Sequence, residues 1–272
     1  MGGRSGRFRD GSIDYKQKDY WIDFGNKDLE KETSKENLLT NDLKRLNIKV
    51  SESFDVMEER LSNTNLSEVK LLTEKYKNIS NATLNFEELT IRAFPMDRVS
   101  IKTGVRRAEY ETIALFHPTS KQICFNQRVL NDYDKATENS KRSQNEGWSS
   151  RTDKGKEASH TIAHEYGHFI ENCIIEKKMQ QNVHKWSEYK NLPVAEKLKI
   201  WNTEERNIKK EIINIAVKKY KASEEDLKIS KYGDRNGDAE WFAEVFAETN
   251  LHTTKKPIVQ AMKDFLKKEN KQ

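Results

Sequence analysis

From Ser34 onward the apolar residues recur at the spacing of a helix face. Leu38, Leu39, Leu43 and Leu46 form one stripe, and Phe54, Val56, Met57 and Leu61 form another. The polar run Ser62-Asn63-Thr64-Asn65 interrupts the pattern. Ser67, followed by Val69, Leu71, Leu72 and Tyr76, then predicts a further helix with Ser67 as its cap. After Asn78 the period changes from helix to strand. Leu89–Phe94, Glu111–Phe116 and Gln122–Asn126 are short β-rich runs, and His117-Pro118-Thr119-Ser120 between the last two is a hairpin turn. Residues 132–157 hold almost nothing apolar except Tyr133 and Trp148, which predicts a long flexible loop suited to serve as a lid.

Helical spacing then returns for the rest of the chain. One helix is expected over Ala158–Met179, with Ser159 as its N-cap. A second is expected over Val194–Tyr220, burying Leu198, Trp201, Ile208, Ile212, Ile215 and Val217. Tyr232–Asp238 is turn-forming throughout and leads into a helix over Ala239–Glu248. A last amphipathic helix follows Pro257 with Ile258, Met262, Phe265 and Leu266. The sum is an α+β protein, mostly helical, with a small sheet whose edge strand precedes the helix at Ala158. Three segments emerge: a flexible arm over residues 1–33, a helical segment over 34–80, and a main domain over 81–272.

Composition sharpens this picture. Hydrophobic residues make up 35% of the 272 and charged residues 34%, so the core is modest and the surface heavily charged. No apolar run reaches the roughly 18 residues of a membrane span, and no apolar stretch follows the basic start at Arg4 and Arg7, which points to a cytoplasmic protein. Export by another route, or in a phage particle, stays open. Cys124 and Cys173 form no C-x-x-C pair and are expected to be buried, reduced thiols. The net charge of +5 is spread over 49 basic and 44 acidic residues, with Lys and Glu interleaved from 194 to 228. This makes nucleic acid an unfavoured partner: there is no basic face with stacking aromatics in series, and Arg4, Arg7 and Arg9 read more simply as part of a solvated tail.

The candidate chemistry lies at His164-Glu165-Tyr166-Gly167-His168, an H-E-x-x-H sequence. On a helix, residues four apart share a face, so both imidazoles can converge on one tetrahedral cation. Glu165 is rotated by about 100° from His164, which sets its carboxylate beside the metal, where it can take a proton from water. A catalytic zinc needs a third protein ligand and one open position. Positions 171 and 174 are Glu and Ile, which closes the route that adds a third histidine on the same helix. The helix beginning near Glu240 offers carboxylates among Trp241, Phe242, Val245 and Phe246, where an uncompensated charge would be costly. Glu240 is the expected ligand. Glu244, one turn on, is expected to accept a hydrogen bond from the outer nitrogen of a ligand histidine; the reverse assignment stays open, and Glu188 and Glu248 rank behind both. Asn172 is placed with Glu244 in this outer layer.

Substrate is expected to meet the strand through Ile123, Phe125 and Asn126, because an edge strand can pair with an extended peptide, although an ordinary hairpin over the core explains the same run. His160 either lines the cleft or faces solvent or a neighbour at the helix start. His117, His184 and His252 are expected at the surface.

The H-E-Y-G-H sequence, Tyr232-Gly233 and Glu240-Trp241-Phe242-Ala243-Glu244-Val245-Phe246 together resemble the catalytic domain of anthrax lethal factor and its relatives. These are gluzincin-type zinc endopeptidases that include proline-proline endopeptidases and domains of phage head proteins and other mobile elements. The resemblance covers about residues 85 to 270, with a Tyr232-to-Glu240 spacing one residue longer than the family's. It implies a zincin-like fold, one Zn²⁺ ion held by His164, His168 and Glu240, Glu165 as general base, Tyr232 as oxyanion donor, and a protein or peptide substrate. The alternative is a catalytically silent zinc-binding or structural module of a phage or mobile element. The presence of Glu165 speaks against it, since a purely structural site has no use for a base.

Overall fold

The computed structural model describes residues 38–54, 57–80, 88–94, 113–127, 129–181 and 183–271. The arm expected over 1–33, Val56 and the start of the strand expected from Glu111 lie outside the described residues. The elements run α1 (Leu38–Arg45), β1 (Ile48–Val50), a 3₁₀ turn (Glu52–Phe54), α2 (Glu59–Lys75), α3 (Lys77–Ser80), β2 (Leu89–Phe94), β3 (Ala114–His117) and β4 (Gln122–Asn126). They continue with α4 (Tyr133–Asn145), a 3₁₀ turn (Glu157–Ser159), α5 (His160–Gln180), α6 (Val183–Asn191), α7 (Val194–Tyr220), α8 (Glu224–Leu227), α9 (Lys231–Arg235), α10 (Asp238–Leu251) and α11 (Pro257–Glu269). The protein is α+β, mostly helical with one small mixed sheet. No helix among the described residues is long and apolar enough to cross a membrane.

The sheet order is β1-β2-β4-β3, with β1, β2 and β4 parallel and β3 antiparallel to β4. This corrects the expected edge. β4 lies inside the sheet, with Ile123 and Phe125 fully buried and Asn126 nearly so; β3 forms the edge. The reason is in the side chains: all five residues of β4 are buried, and a strand covered on both faces takes an interior place, whereas Leu115 and Phe116 of β3 stay partly exposed. The missed strand β1 follows α1 because Asn47 adopts a left-handed φ of 57° and turns the chain into the pairing Ile48↔Leu89.

Two further expectations change. Helix α2 runs unbroken through Ser62–Asn65, and its cap is Glu58, whose carboxylate accepts from the backbone N–H groups of Arg60 (2.9 Å) and Leu61 (3.1 Å). Burying Leu61, Leu66, Val69 and Leu72 outweighs the weak helix propensity of four polar residues. The stretch expected as a loop contains α4, capped by Asp132, which accepts from Lys135 N–H at 2.8 Å. That helix buries only Ala136, so it carries no hydrophobic period to read. Nor does Ser159 cap α5: it sits in helical geometry at the end of the 3₁₀ turn, without a side-chain cap bond.

Helices α5 and α10 are buried nearly all round and form the centre of the core. Thr73 of α2 meets the Tyr166 hydroxyl at 2.8 Å, and Tyr76 packs on Phe246 with ring centroids 5.3 Å apart. The crossing of α5 and α10 depends on Gly167. A Cβ there would stand 3.0 Å from the Ala243 Cα and 3.2 Å from Phe246, so the helices approach as closely as they do because position 167 has no side chain. Gly167→Ala is therefore expected to destabilise the protein by about 1–3 kcal/mol, the usual cost of overpacking, measured as a fall in urea midpoint. An unchanged midpoint would mean that the crossing has slack.

Cys124 and Cys173 are buried free thiols, and burial pushes both up to about 12. Both are neutral at pH 8, and the thiolate is the reactive form. The expected result with iodoacetamide at pH 8 is no labelling of the folded protein and two labels per chain in denaturant, read by intact mass. Labelling of folded protein at either cysteine would contradict the burial. His117 also departs from expectation: it is buried, with Nδ1 accepting from the Ser120 N–H at 3.2 Å, because the hairpin turn folds over it. His252 is half-buried, with Nδ1 3.5 Å from Glu248 and Nε2 3.8 Å from Asp153. The His184 side chain lies outside the described residues.

Candidate metal centre

His164 and His168 project from one face of α5, and Glu240 reaches them from the first turn of α10. One carboxylate oxygen, Glu240 Oε2, stands 3.1 Å from His164 Nε2 and 3.3 Å from His168 Nε2. The three candidate ligand atoms lie within 4.8 Å of one another. Around a tetrahedral ion with bonds of about 2.0–2.1 Å, neighbouring ligand atoms are separated by about 3.3–3.4 Å. Glu240 therefore stands at zinc-like separation from both nitrogens, and three protein ligands would leave the fourth position open. Glu240 is 1% exposed, and its second oxygen, Oε1, has no hydrogen-bond partner among the described residues. An anion so enclosed is costly unless something cationic completes it.

The charges follow from this packing. Burial opposes the ionised form of Glu240, but His168 and His164 outweigh it and hold the carboxyl well below its usual range. Burial likewise opposes the charged form of His164, and its hydrogen bonds to Glu240 and Glu244 overcome this and raise it. Glu244 Oε1 stands 2.9 Å from His164 Nδ1, on the side of the ring away from Glu240. Burial pushes Glu244 up, but the opposed pull of His160 and the bond from His164 bring it down to about 2. Glu165 is buried beside this set and takes no part in the ligand group. Burial raises its carboxyl, while a backbone N–H of Phe116 on the edge strand β3 hydrogen-bonds to it.

Tyr232 belongs to the short helix α9, which Ser230 caps by accepting from Gly233 N–H at 3.0 Å. Gly233 allows α9 to lie against α10, since a Cβ there would meet the Trp241 Cα at 3.2 Å and the Glu244 Cβ at 3.3 Å. The Tyr232 ring lies 5.8 Å from that of His164, and its hydroxyl hydrogen-bonds to the Glu240 carboxylate. Burial, followed by the nearby charges of Glu240, Glu165 and Glu244, raises this phenol well above its ordinary value and keeps it a donor.

Other expected members stand elsewhere. Asn172 is engaged by another segment: its Oδ1 accepts from the buried Lys121 ammonium, which also pairs with Glu176 at 2.6 Å. Lys121 reaches them from the turn before β4, where a left-handed φ of 50° lets its side chain fold under the sheet onto α5. Ile123 and Phe125 are sealed in the core. His160 faces a neighbour instead of a cleft, with Nε2 3.0 Å from Ser150 Oγ and 3.9 Å from Glu244 Oε2. Ser150 and the Phe116 backbone are site members that sequence reasoning missed. Neither is marked by spacing, because each reaches the site from a segment whose position only the fold sets. No protein-family model, curated protein or solved structure matches this chain.

Proposed function

We propose that the protein is a zinc-dependent endopeptidase of zincin-like architecture, with His164, His168 and Glu240 as metal ligands. The observation that carries this reading is one carboxylate oxygen, Glu240 Oε2, at tetrahedral-edge distance from two imidazole nitrogens, the three atoms lying within 4.8 Å of one another, with the buried Glu165 carboxylate beside them. The motif's likeness to lethal-factor-type gluzincins supports the same reading. When bound, the metal supplies Lewis acidity to a water molecule and to the scissile carbonyl.

The chain's own residues do the rest. Glu165 takes a proton from the attacking water and returns it to the departing amine; burial raises its carboxyl towards the range where such shuttling is efficient near neutral pH. Tyr232, held protonated, donates to the oxygen on which negative charge develops. Glu244, 2.9 Å from His164 Nδ1, favours the tautomer that keeps its proton there and leaves Nε2 free for the metal. Among the described residues strand β3 lies at an edge of the sheet, where an extended peptide can add, and it reaches the site directly, since Phe116 N–H contacts Glu165.

The test is metal content by mass spectrometry combined with cleavage of an unbiased peptide library. Near-stoichiometric zinc with discrete cut sites supports the proposal, and absence of zinc from the wild-type protein would end it. Zinc without cleavage of any peptide would favour the silent-module reading. Tyr232→Phe is expected to lose about 10²–10³-fold in kcat at saturating zinc, the usual worth of one oxyanion donor. An unchanged kcat would remove Tyr232 from the mechanism.

A further inference from the structure

The segment between α4 and the 3₁₀ turn at Glu157 is fastened along its length. Gly147 and Trp148 offer their carbonyls to the backbone N–H groups of Lys231 (2.8 Å) and Tyr232 (3.1 Å). The Lys231 ammonium donates to the Glu146 carbonyl at 2.7 Å, and the Arg235 guanidinium lies over the Trp148 ring at 5.5 Å. Two residues on, Ser150 is fully buried; its backbone N–H donates to Glu244 Oε2, and its hydroxyl shares the 3.0 Å hydrogen bond with His160. Beyond it, Thr152 donates its N–H to Gln144 Oε1 at 3.1 Å, and Asp153 donates its N–H to the Leu251 carbonyl at 2.8 Å while its carboxylate accepts from Thr253. A stretch that composition marks as a lid is a strap tied to α4, α9 and the end of α10.

This strap joins two parts of the site that the chain otherwise brings from separate helices. It sets the backbone position of Tyr232 in α9 and one oxygen of Glu244 in α10. The other oxygen of Glu244 stands 2.9 Å from His164 Nδ1. We propose that His160 and Ser150 are positioning residues for the metal: they hold Glu244 so that its remaining oxygen orients the His164 ring. His160 sits one turn before His164 on α5, with ring centroids 6.2 Å apart, too far to share the ligand position and close enough to close the circuit through Glu244. Outer hydrogen bonds of this kind set ring orientation and ligand basicity and are usually worth about 10–100-fold in metal affinity.

The inference rests on the proposed metal centre, and the test separates the two. Zinc affinity is measured by chelator competition for wild type, His160→Ala, His160→Gln and Ser150→Ala, alongside melting temperatures of the metal-free proteins and the visible absorption of their Co²⁺ forms. The expected result is a loss of about 10–100-fold in zinc affinity for His160→Ala. A smaller loss is expected for Ser150→Ala, which keeps the backbone donor, and partial recovery for His160→Gln, which restores a polar group facing Ser150. Metal-free melting temperatures should change far less than affinity, and the Co²⁺ spectrum of His160→Ala should shift as the His164 ring reorients. Wild-type zinc affinity in His160→Ala would overturn the proposal, as would losses that track the metal-free melting temperatures across the variants. Should His160→Ala fail to fold, wild-type affinity in both Ser150→Ala and His160→Gln overturns it equally. A wild-type protein that binds no zinc overturns this proposal and the metal centre together, whereas one that binds zinc but cleaves nothing leaves it standing.

Discussion

Glu165→Gln is expected to retain wild-type zinc content and to lose about 10²–10⁴-fold in peptide hydrolysis, the range that a positioned general base supplies. Gln matches Glu in size and can still accept the hydrogen bond from Phe116 N–H, so the edge strand and the helix keep their contact. What it cannot do is take a proton. The loss corresponds to about 2.7–5.4 kcal/mol of transition-state stabilisation and should appear in kcat, with KM little changed. Folding is expected to run the other way. Glu165 is 6% exposed and burial opposes its ionised form, so a neutral amide lightens the cost of enclosing the residue, and the metal-free variant should melt no lower than wild type. Equal cleavage by Glu165→Gln and wild type, on the same peptide and at the same metal occupancy, would remove Glu165 from the reaction.

The second large effect concerns Glu240. Glu240→Ala removes one of three ligand atoms and the anion between two imidazoles that lie 3.1 and 3.3 Å away. Outer-layer partners alone are worth about 10–100-fold, so loss of a direct ligand should weaken zinc binding by about two orders of magnitude or more. Thermal unfolding gives an independent readout. A site held at 100 times its Kd in free zinc adds about 2.7 kcal/mol to folding stability, and the variant should lack most of the corresponding zinc-dependent rise in Tm. Glu244→Ala is the matched comparison. It deletes the partner of His164 Nδ1 and should weaken zinc without abolishing binding. If Glu244→Ala loses zinc and Glu240→Ala does not, the two carboxylates exchange roles.

The paired histidines of α5 were legible because helix geometry converts spacing into direction. His164 and His168 lie four apart, so one helix suffices to aim both. Glu240 and Glu244 were legible for another reason: a carboxylate among Trp241, Phe242, Val245 and Phe246 must be buried, and a buried charge implies a partner. The two carboxylates lie one turn apart, and the structure sets Glu240 Oε2 near both Nε2 atoms and Glu244 Oε1 beside His164 Nδ1. The long apolar-periodic helix Val194–Tyr220 and the strands Leu89–Phe94 and Gln122–Asn126 were readable to the residue. Tyr232 sits in a short helix where a turn was expected, yet it still reaches Glu240.

What failed to show is equally specific. Asn172 has the right spacing from His168 to suggest an outer ligand, and Lys121 claims it from across the fold. The interior place of β4 depends on β2 pairing with it in parallel through residues about 30 positions away, a choice that alternation within the strand does not encode. α4 and the strap after it carry no hydrophobic period, because their stability comes from a cap and from hydrogen bonds to α9 and α10. By itself the sequence determined the face of α5 shared by His164 and His168, the candidate carboxylates, the coarse α+β class and the bounds of α7, since each is set by contacts within a few turns of chain. The tertiary structure decided which strand is the edge, what holds Glu244 and where the loop is tied. Those depend on pairings between distant segments, whose energies are set by shape and burial and leave no period in the chain.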